Sequence, residues 1–156
     1  MKRVCVALSL MLIVAGMTSA QESASVQEYA WAVGVRVGGA NGGLTVKRNF
    51  GATAVEIGVA IAADDSGRLQ ALYKWQMPVL SNGFMFYYGV GAFVGAFDFS
   101  SAPQMGIGIE GVVGLEYKVP SVPIAFSLDY RPGVSIVPDF SKSTYGDVGI
   151  GLKYCF

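Results

Sequence analysis

The sequence predicts an all-β fold, eight antiparallel strands closed up-and-down into a transmembrane barrel, and three observations carry that prediction. Beyond residue 28, large apolar side chains recur at every second position, the period of a strand and not of a helix. Sorting each strand by face puts the charges on one side only. Most of the segments run for eight to twelve residues, near the ~9–11 that a tilted strand needs to cross a bilayer.

The first twenty residues stand apart. Lys2 and Arg3 precede the apolar run VCVALSLMLIVAGM, and Thr18-Ser19-Ala20 forms a small-residue cleavage site before Gln21. This reads as a secretory signal peptide, too short for a comfortable membrane span. No cysteine follows the apolar core at the cleavage site, which argues against a lipid anchor. Residues 21–28 then form a short periplasmic segment and 29–156 the barrel. Of eleven basic and eleven acidic residues, loss of Lys2 and Arg3 leaves nine against eleven. That balance gives no reason to expect nucleic acid or an anionic surface as a partner. Cys155 is the one cysteine left, so no intrachain disulfide can form.

The strands follow in order. The first, 29–37, places Tyr29, Trp31, Val33, Val35 and Val37 on one face, with Gly34 and Arg36 on the other. GGANGG leads to a short second strand, 43–48, with Leu44 and Val46 opposite Lys47. After NFGA, 53–62 sets Val55, Ile57, Val59 and Ile61 against Glu56 and Gly58. ADDSG leads to 68–76, where Leu69, Ala71, Tyr73 and Trp75 oppose Arg68 and Lys74. MPVLSNG is the next turn, and 86–96 follows with Phe86, Tyr88, Val90 and Val94 against Gly89, Gly91 and Gly95.

FDFSSAPQM precedes 107–118, in which Ile107, Ile109, Val113, Leu115 and Tyr117 oppose Glu110, Glu116 and Lys118. KVPSVP leads to 124–131, with Ile124, Phe126, Leu128 and Tyr130 against Asp129 and Arg131. A long loop, 132–146, ends at the last strand, 147–156. There Val148, Ile150, Leu152, Tyr154 and Phe156 alternate with Asp147, Gly149, Gly151 and Lys153. Across the strands the split is twelve charges against none. Arg48 and Asp98 would break it, but both sit at or past a strand end.

Which face looks inward decides the class. A soluble barrel would have to crowd the large side chains into a narrow interior and leave the glycines outside, where they do nothing. An eight-stranded barrel has an interior just wide enough for side chains to fill, so glycines and a few long charges suit the inside. A lipid-facing wall must be apolar, since Arg or Lys at the midplane costs about 2–4 kcal/mol. The apolar face therefore points out. The expected interior polar network is Arg36, Lys47, Glu56, Lys74, Glu110, Glu116, Asp129, Arg131 and Lys153.

Aromatics test the strand count independently. Tyr29, Trp31, Phe86, Tyr88 and Phe126 lie near the starts of odd strands, and Tyr73, Trp75, Tyr117, Tyr154 and Phe156 near the ends of even ones. In an up-and-down barrel these positions share one rim, as an interfacial girdle. The last strand closes against the first. Its terminal aromatic resembles the C-terminal signal read by the outer-membrane assembly machinery, which would leave both termini in the periplasm.

With these strands laid out, the chain resembles the small eight-stranded outer-membrane proteins of Gram-negative bacteria, the OmpA/OmpX-like barrels. More closely, it is similar to porin-family barrels of the cell envelope that have no settled activity. The resemblance is carried by WAVGVRVGGANGGLTVKRNF, LYKWQMP, YYGVGAFVGAF, GIEGVVGLEYKVPSVPIAFSLDYRPG and the final YCF. It implies fold and location, with outer-membrane lipid as surroundings, and brings no cofactor.

Two motifs invite other readings. GIGIEG, Gly106 to Gly111, spells G-x-G-x-x-G, but a dinucleotide site needs a helix to open there, and the alternation runs on through VVGLEYKV. Residues 75–97 carry no charge, yet Pro78, Asn82-Gly83 and the interleaved glycines do not suit a membrane helix. The absence of histidine removes Ser-His and Asp-His chemistry and weakens any metal site. The expected function is therefore non-enzymatic: a structural or surface-interaction barrel with a polar plug. The outward loops 38–42, 63–67, 97–106 and 132–146 supply candidate contacts at Phe97, Phe99, Phe140 and Tyr145. A narrow channel for small solutes or ions is the alternative, and a lipid-modifying enzyme a weaker one.

Overall fold

A computed structural model describes residues 29–39, 41–62, 67–80, 83–97, 104–137 and 144–156. The signal peptide and the segment 21–28 lie outside the described residues. Eight strands follow one another: β1 (Trp31–Gly38), β2 (Asn41–Asn49), β3 (Thr53–Ala62), β4 (Gly67–Leu80), β5 (Phe84–Phe97), β6 (Gln104–Lys118), β7 (Ile124–Val137) and β8 (Thr144–Cys155). Each pairs antiparallel with its chain neighbour, and the sheet closes on itself in chain order. Closure is made by β1 on β8, from Ala32↔Cys155 to Gly38↔Gly149. That pairing removes the last edge, as hydrocarbon demands, since unpaired backbone groups find no water there.

Six of the eight strands are longer than their alternation suggests. β3 matches its prediction, whereas MPVL, expected as a turn, continues β4 to Leu80 with a register shift between Pro78 and Leu80. The loop expected at 132–146 shrinks more. β7 runs through Pro132 to Val137, and β8 already begins at Thr144. Proline has no N–H to give a ladder, and the structure accommodates this on one side. Pro132 keeps its place opposite Gly146 of β8, while the β6–β7 ladder is interrupted between Val113↔Tyr130 and Glu110↔Gly133. Beyond the proline the alternation resumes, with Val134 and Ile136 outward.

Glycine has a specific task at two kinds of place. Gly51 and Gly83 take φ of +84° and +94° in the tight turns β2–β3 and β4–β5, the left-handed region where other residues are strained. Gly114 instead makes room inside: a Cβ there would lie 2.8 Å from both the Asp129 Cβ and the Tyr87 ring.

The wall is inside-out relative to a soluble protein. Val35, Leu44, Ile57, Ile109, Leu128 and Ile150 stand exposed on the outer surface, while Lys47, Glu56 and Lys74 are fully buried. The interior also has an apolar patch, Leu72, Tyr87 and Val112, packed together midway along the lumen. Among the described residues no helix is long and apolar enough to cross a membrane. The crossing elements are strands.

Candidate functional site: the lumen

Inward positions of seven strands converge on the barrel axis. Period-two alternation puts Arg36 (β1), Lys47 (β2), Glu56 (β3), Lys74 (β4), Glu110 and Glu116 (β6), Asp129 and Arg131 (β7) and Lys153 (β8) inside, all buried. Because every strand feeds the same narrow space, opposite charges meet that are far apart in sequence.

All of them but Glu110 join one chain of alternating sign. Near the end that holds the termini, Lys47 Nζ lies 2.7 Å from Glu116 Oε1. Lys153 bridges the two glutamates, with Nζ 3.1 Å from Glu116 Oε2 and 2.9 Å from Glu56 Oε2. Glu56 is the hub, since Lys74 Nζ is also 2.7 Å from Oε2 and Arg131 Nη2 is 2.9 Å from Oε1. Arg131 passes the chain to Asp129 at 3.1 Å, Asp129 to Arg36 at 2.7 Å, and Arg36 to Asp147 at 2.7 Å. Arg68 pairs separately with Glu110 and stacks its guanidinium 3.8 Å from the Phe93 ring centroid. Such pairing is what buried ions require, because an unpaired one costs several kcal/mol.

Neutral groups fill the remaining hydrogen-bonding capacity. Tyr87 donates its hydroxyl to Asp129 Oδ2 at 3.0 Å, and its ring lies 4.5 Å from Lys74 Nζ. At the terminus end Gln76 donates to Asn49 Oδ1 at 2.9 Å, and Asn49 donates in turn to the Tyr29 carbonyl at 3.2 Å. At the far end the Gly39 amide donates to Asp147 Oδ1 at 2.8 Å.

Tyr29 corrects one sequence expectation. Alternation placed it on the outer girdle beside Trp31, but it is buried at the terminus end of the lumen. Its hydroxyl donates to Glu116 Oε1 at 2.5 Å and accepts from Lys47 Nζ at 3.0 Å. The reason is local. β1 begins only at Trp31, and a bend at Ala30 breaks the alternation that a longer strand would have kept. The phenol thereby reaches a carboxylate and an ammonium.

The other girdle positions, Trp31, Tyr73, Trp75, Phe86, Tyr88, Tyr117, Phe126, Tyr154 and Phe156, lie on the outer wall near that same end. Trp75 stacks on Tyr88 at 5.5 Å between centroids, Tyr73 meets Trp75 edge-on at 5.0 Å, and Tyr154 lies 6.2 Å from Phe156. Phe84 joins them against Tyr117 at 4.4 Å, because β5 begins two residues before the expected 86. Its even number on β5 was the available signal. Arg48 is an outward cation within the ring, its guanidinium 4.9 Å from the Trp31 centroid and 5.1 Å from that of Phe50.

The candidate loop contacts fare differently. Phe99 and Phe140 lie outside the described residues; Phe97 ends β5 and Tyr145 lies in β8, with only their backbone described. The interior also holds Tyr87, Gln70, Gln76, Thr45 and Ser127, all buried and outside the expected network. Their inward parity was readable, but uncharged polar residues did not stand out. Among the described residues no three histidine, cysteine or carboxylate groups are placed to hold a metal ion.

Comparison with known proteins bears on the fold. No protein-family model matches the chain, and no curated protein does either. Among solved structures it is similar to the N-terminal β-barrel domain of Pseudomonas aeruginosa OprF. That likeness has a TM-score of 0.64 and 10% identity over 81% of this chain and 95% of that one. This chain has the fold of the small eight-stranded outer-membrane barrels. A de novo designed transmembrane β-barrel matches at TM-score 0.59 and 14% identity, covering 85% of this chain and all of the design. The Yersinia pestis outer-membrane protein Ail, solved in a phospholipid bilayer nanodisc, matches at 0.54 and 13% over 83% of this chain and all of Ail. At such identities the likeness shows the barrel alone.

Proposed function

We propose that this protein is an integral outer-membrane barrel of a Gram-negative envelope, structural or surface-interacting, with its lumen closed by a polar plug. The observation that carries this reading is the unbroken ion-pair chain from Lys47 to Asp147 through the lumen. Each charge in it is held by opposite charge, and the hub at Glu56 ties β3 to β4, β7 and β8. A solute would have to break several such pairs in succession. Tyr29, wedged between Lys47 and Glu116, narrows the terminus end further.

The girdle and turns support one orientation. The end with tight turns and both termini faces the periplasm, and the segments joining β1–β2, β3–β4, β5–β6 and β7–β8 face outward. Those segments, with Phe97, Phe99, Phe140 and Tyr145 in or beside them, are the proposed contact surface for a partner outside the cell. The export signal at residues 1–20 and assembly through β8 belong to the same reading. No enzymatic role is proposed, since the lumen's carboxylates are committed to ion pairs.

Planar-bilayer recording of the purified, folded protein tests the plug. Wild type should give no steady ohmic conductance, whereas Glu56→Ala with Tyr29→Ala should open measurable current. Steady current through wild type would overturn the plug and favour the narrow-channel alternative.

A further inference from the structure

The ion-pair chain leaves a small cavity toward the far end of the lumen. Arg36, Thr45, Arg68, Glu110, Arg131 and Asp147 are in its wall. Its volume is about 20 Å³, a little above the roughly 10–15 Å³ that one water needs. One water or one monoatomic ion fits; a phosphate or sulfate does not.

Two buried donors mark what the occupant must be. Thr45 Oγ1 and Arg131 Nη1 have no hydrogen-bond partner among the described residues, although Thr45 is 3% and Arg131 2% exposed. A guanidinium N–H can only donate, and the threonine hydroxyl is free to rotate and donate as well. Burying such groups without a partner forfeits their hydration with nothing in return, so the site calls for an acceptor of both. Charge gives the sign. Three guanidinium groups are in the cavity wall with two carboxylates, and a third carboxylate, Asp129, pairs with Arg36 and Arg131, so the sign follows from the network as a whole. Among the ion-paired groups of the described lumen, Arg36, Lys47, Arg68, Lys74, Arg131 and Lys153 outnumber Glu56, Glu110, Glu116, Asp129 and Asp147 by one. A surplus positive charge in a low-dielectric interior attracts a counter-ion.

We propose that this cavity binds a single halide-sized anion, chloride in the cell, through Thr45 Oγ1 and Arg131 Nη1. The anion completes the plug by neutralising the surplus charge within it.

Crystals grown in bromide test this directly. An anomalous peak is expected within hydrogen-bond distance of Thr45 Oγ1 and Arg131 Nη1, lost in Thr45→Val and kept in Thr45→Ser. In solution, the melting midpoint of the detergent-solubilised protein should rise in chloride relative to gluconate at equal ionic strength, and Thr45→Val should lose that rise. Thr45→Ala replaces Thr45→Val should the latter fail to fold. A lumen holding water only in bromide crystals would overturn the proposal. So would a chloride response undiminished by loss of the hydroxyl, which would place the halide on other cations, or a peak without any response in solution, which would mark binding at crystal concentration only.

Discussion

At the scale of single residues, the lumen depends on which charge is removed. Glu56 carries three cations, so Glu56→Gln leaves Lys74, Arg131 and Lys153 short of their common partner. Removing one side of a buried pair costs about 3–5 kcal/mol, and urea unfolding of the reconstituted protein should show a loss of that order. Asp147 holds Arg36 near the far end, with its side chain 13% exposed. Water can take over part of its role, and Asp147→Asn should cost less, about 1 kcal/mol. Equal losses at the two sites would mean that burial does not set the strength of the network. Tyr29→Phe deletes one hydroxyl that joins Lys47 and Glu116. Hydrogen bonds to charged groups contribute about 1.5–3 kcal/mol, and the same unfolding measurement should register that loss. A residue on the outer girdle would give almost none.

Strands and turns answer to different solvents on their two faces. Leu128 stands outward on β7 between Leu115 of β6 and Ile150 of β8. Leu128→Arg should cost about 2–4 kcal/mol where the wall meets hydrocarbon and sharply lower the folded yield in lipid vesicles, while Leu128→Phe should fold normally. A well-tolerated arginine would show that this face is not in lipid. In the β4–β5 turn, Gly83 sits at φ +94°. Gly83→Ala brings a strain of about 1–2 kcal/mol, and the added Cβ would also press on the Lys118 carbonyl. Slower folding with an unchanged barrel end-state is the expected result, followed by the appearance of the compact band on a gel.

For the whole molecule, closure is the property to measure. A sheet whose first and last strands pair, Val33↔Tyr154 and Val35↔Leu152 among others, has no edge from which to unravel. Unboiled samples should therefore run as a compact species in denaturing gels and shift only on boiling, with the protein recovered in the outer-membrane fraction. Soluble periplasmic material with no shift would reverse the assignment of inner and outer faces.

The sequence by itself determined the strand number, the antiparallel order and the side of the wall each strand residue occupies. Period-two alternation encodes a face at every position, and hydrocarbon admits no charge on one of them, so Arg36, Glu56, Lys74 and Lys153 were readable as inward without coordinates. Strand ends were less legible. Pro78 and Pro132 look like stops locally, and only pairing with the neighbouring strand shows that their missing N–H is tolerated. Tyr29 was misread for a related reason: alternation holds only while the ladder does, and the bend at Ala30 releases it. Partnership inside the lumen was decided by the tertiary structure alone. Glu56 meets Arg131, 75 residues away, and Arg36 meets Asp147, 111 residues away, because barrel closure and strand stagger set depth along the axis. Parity along one strand carries no information about depth relative to another.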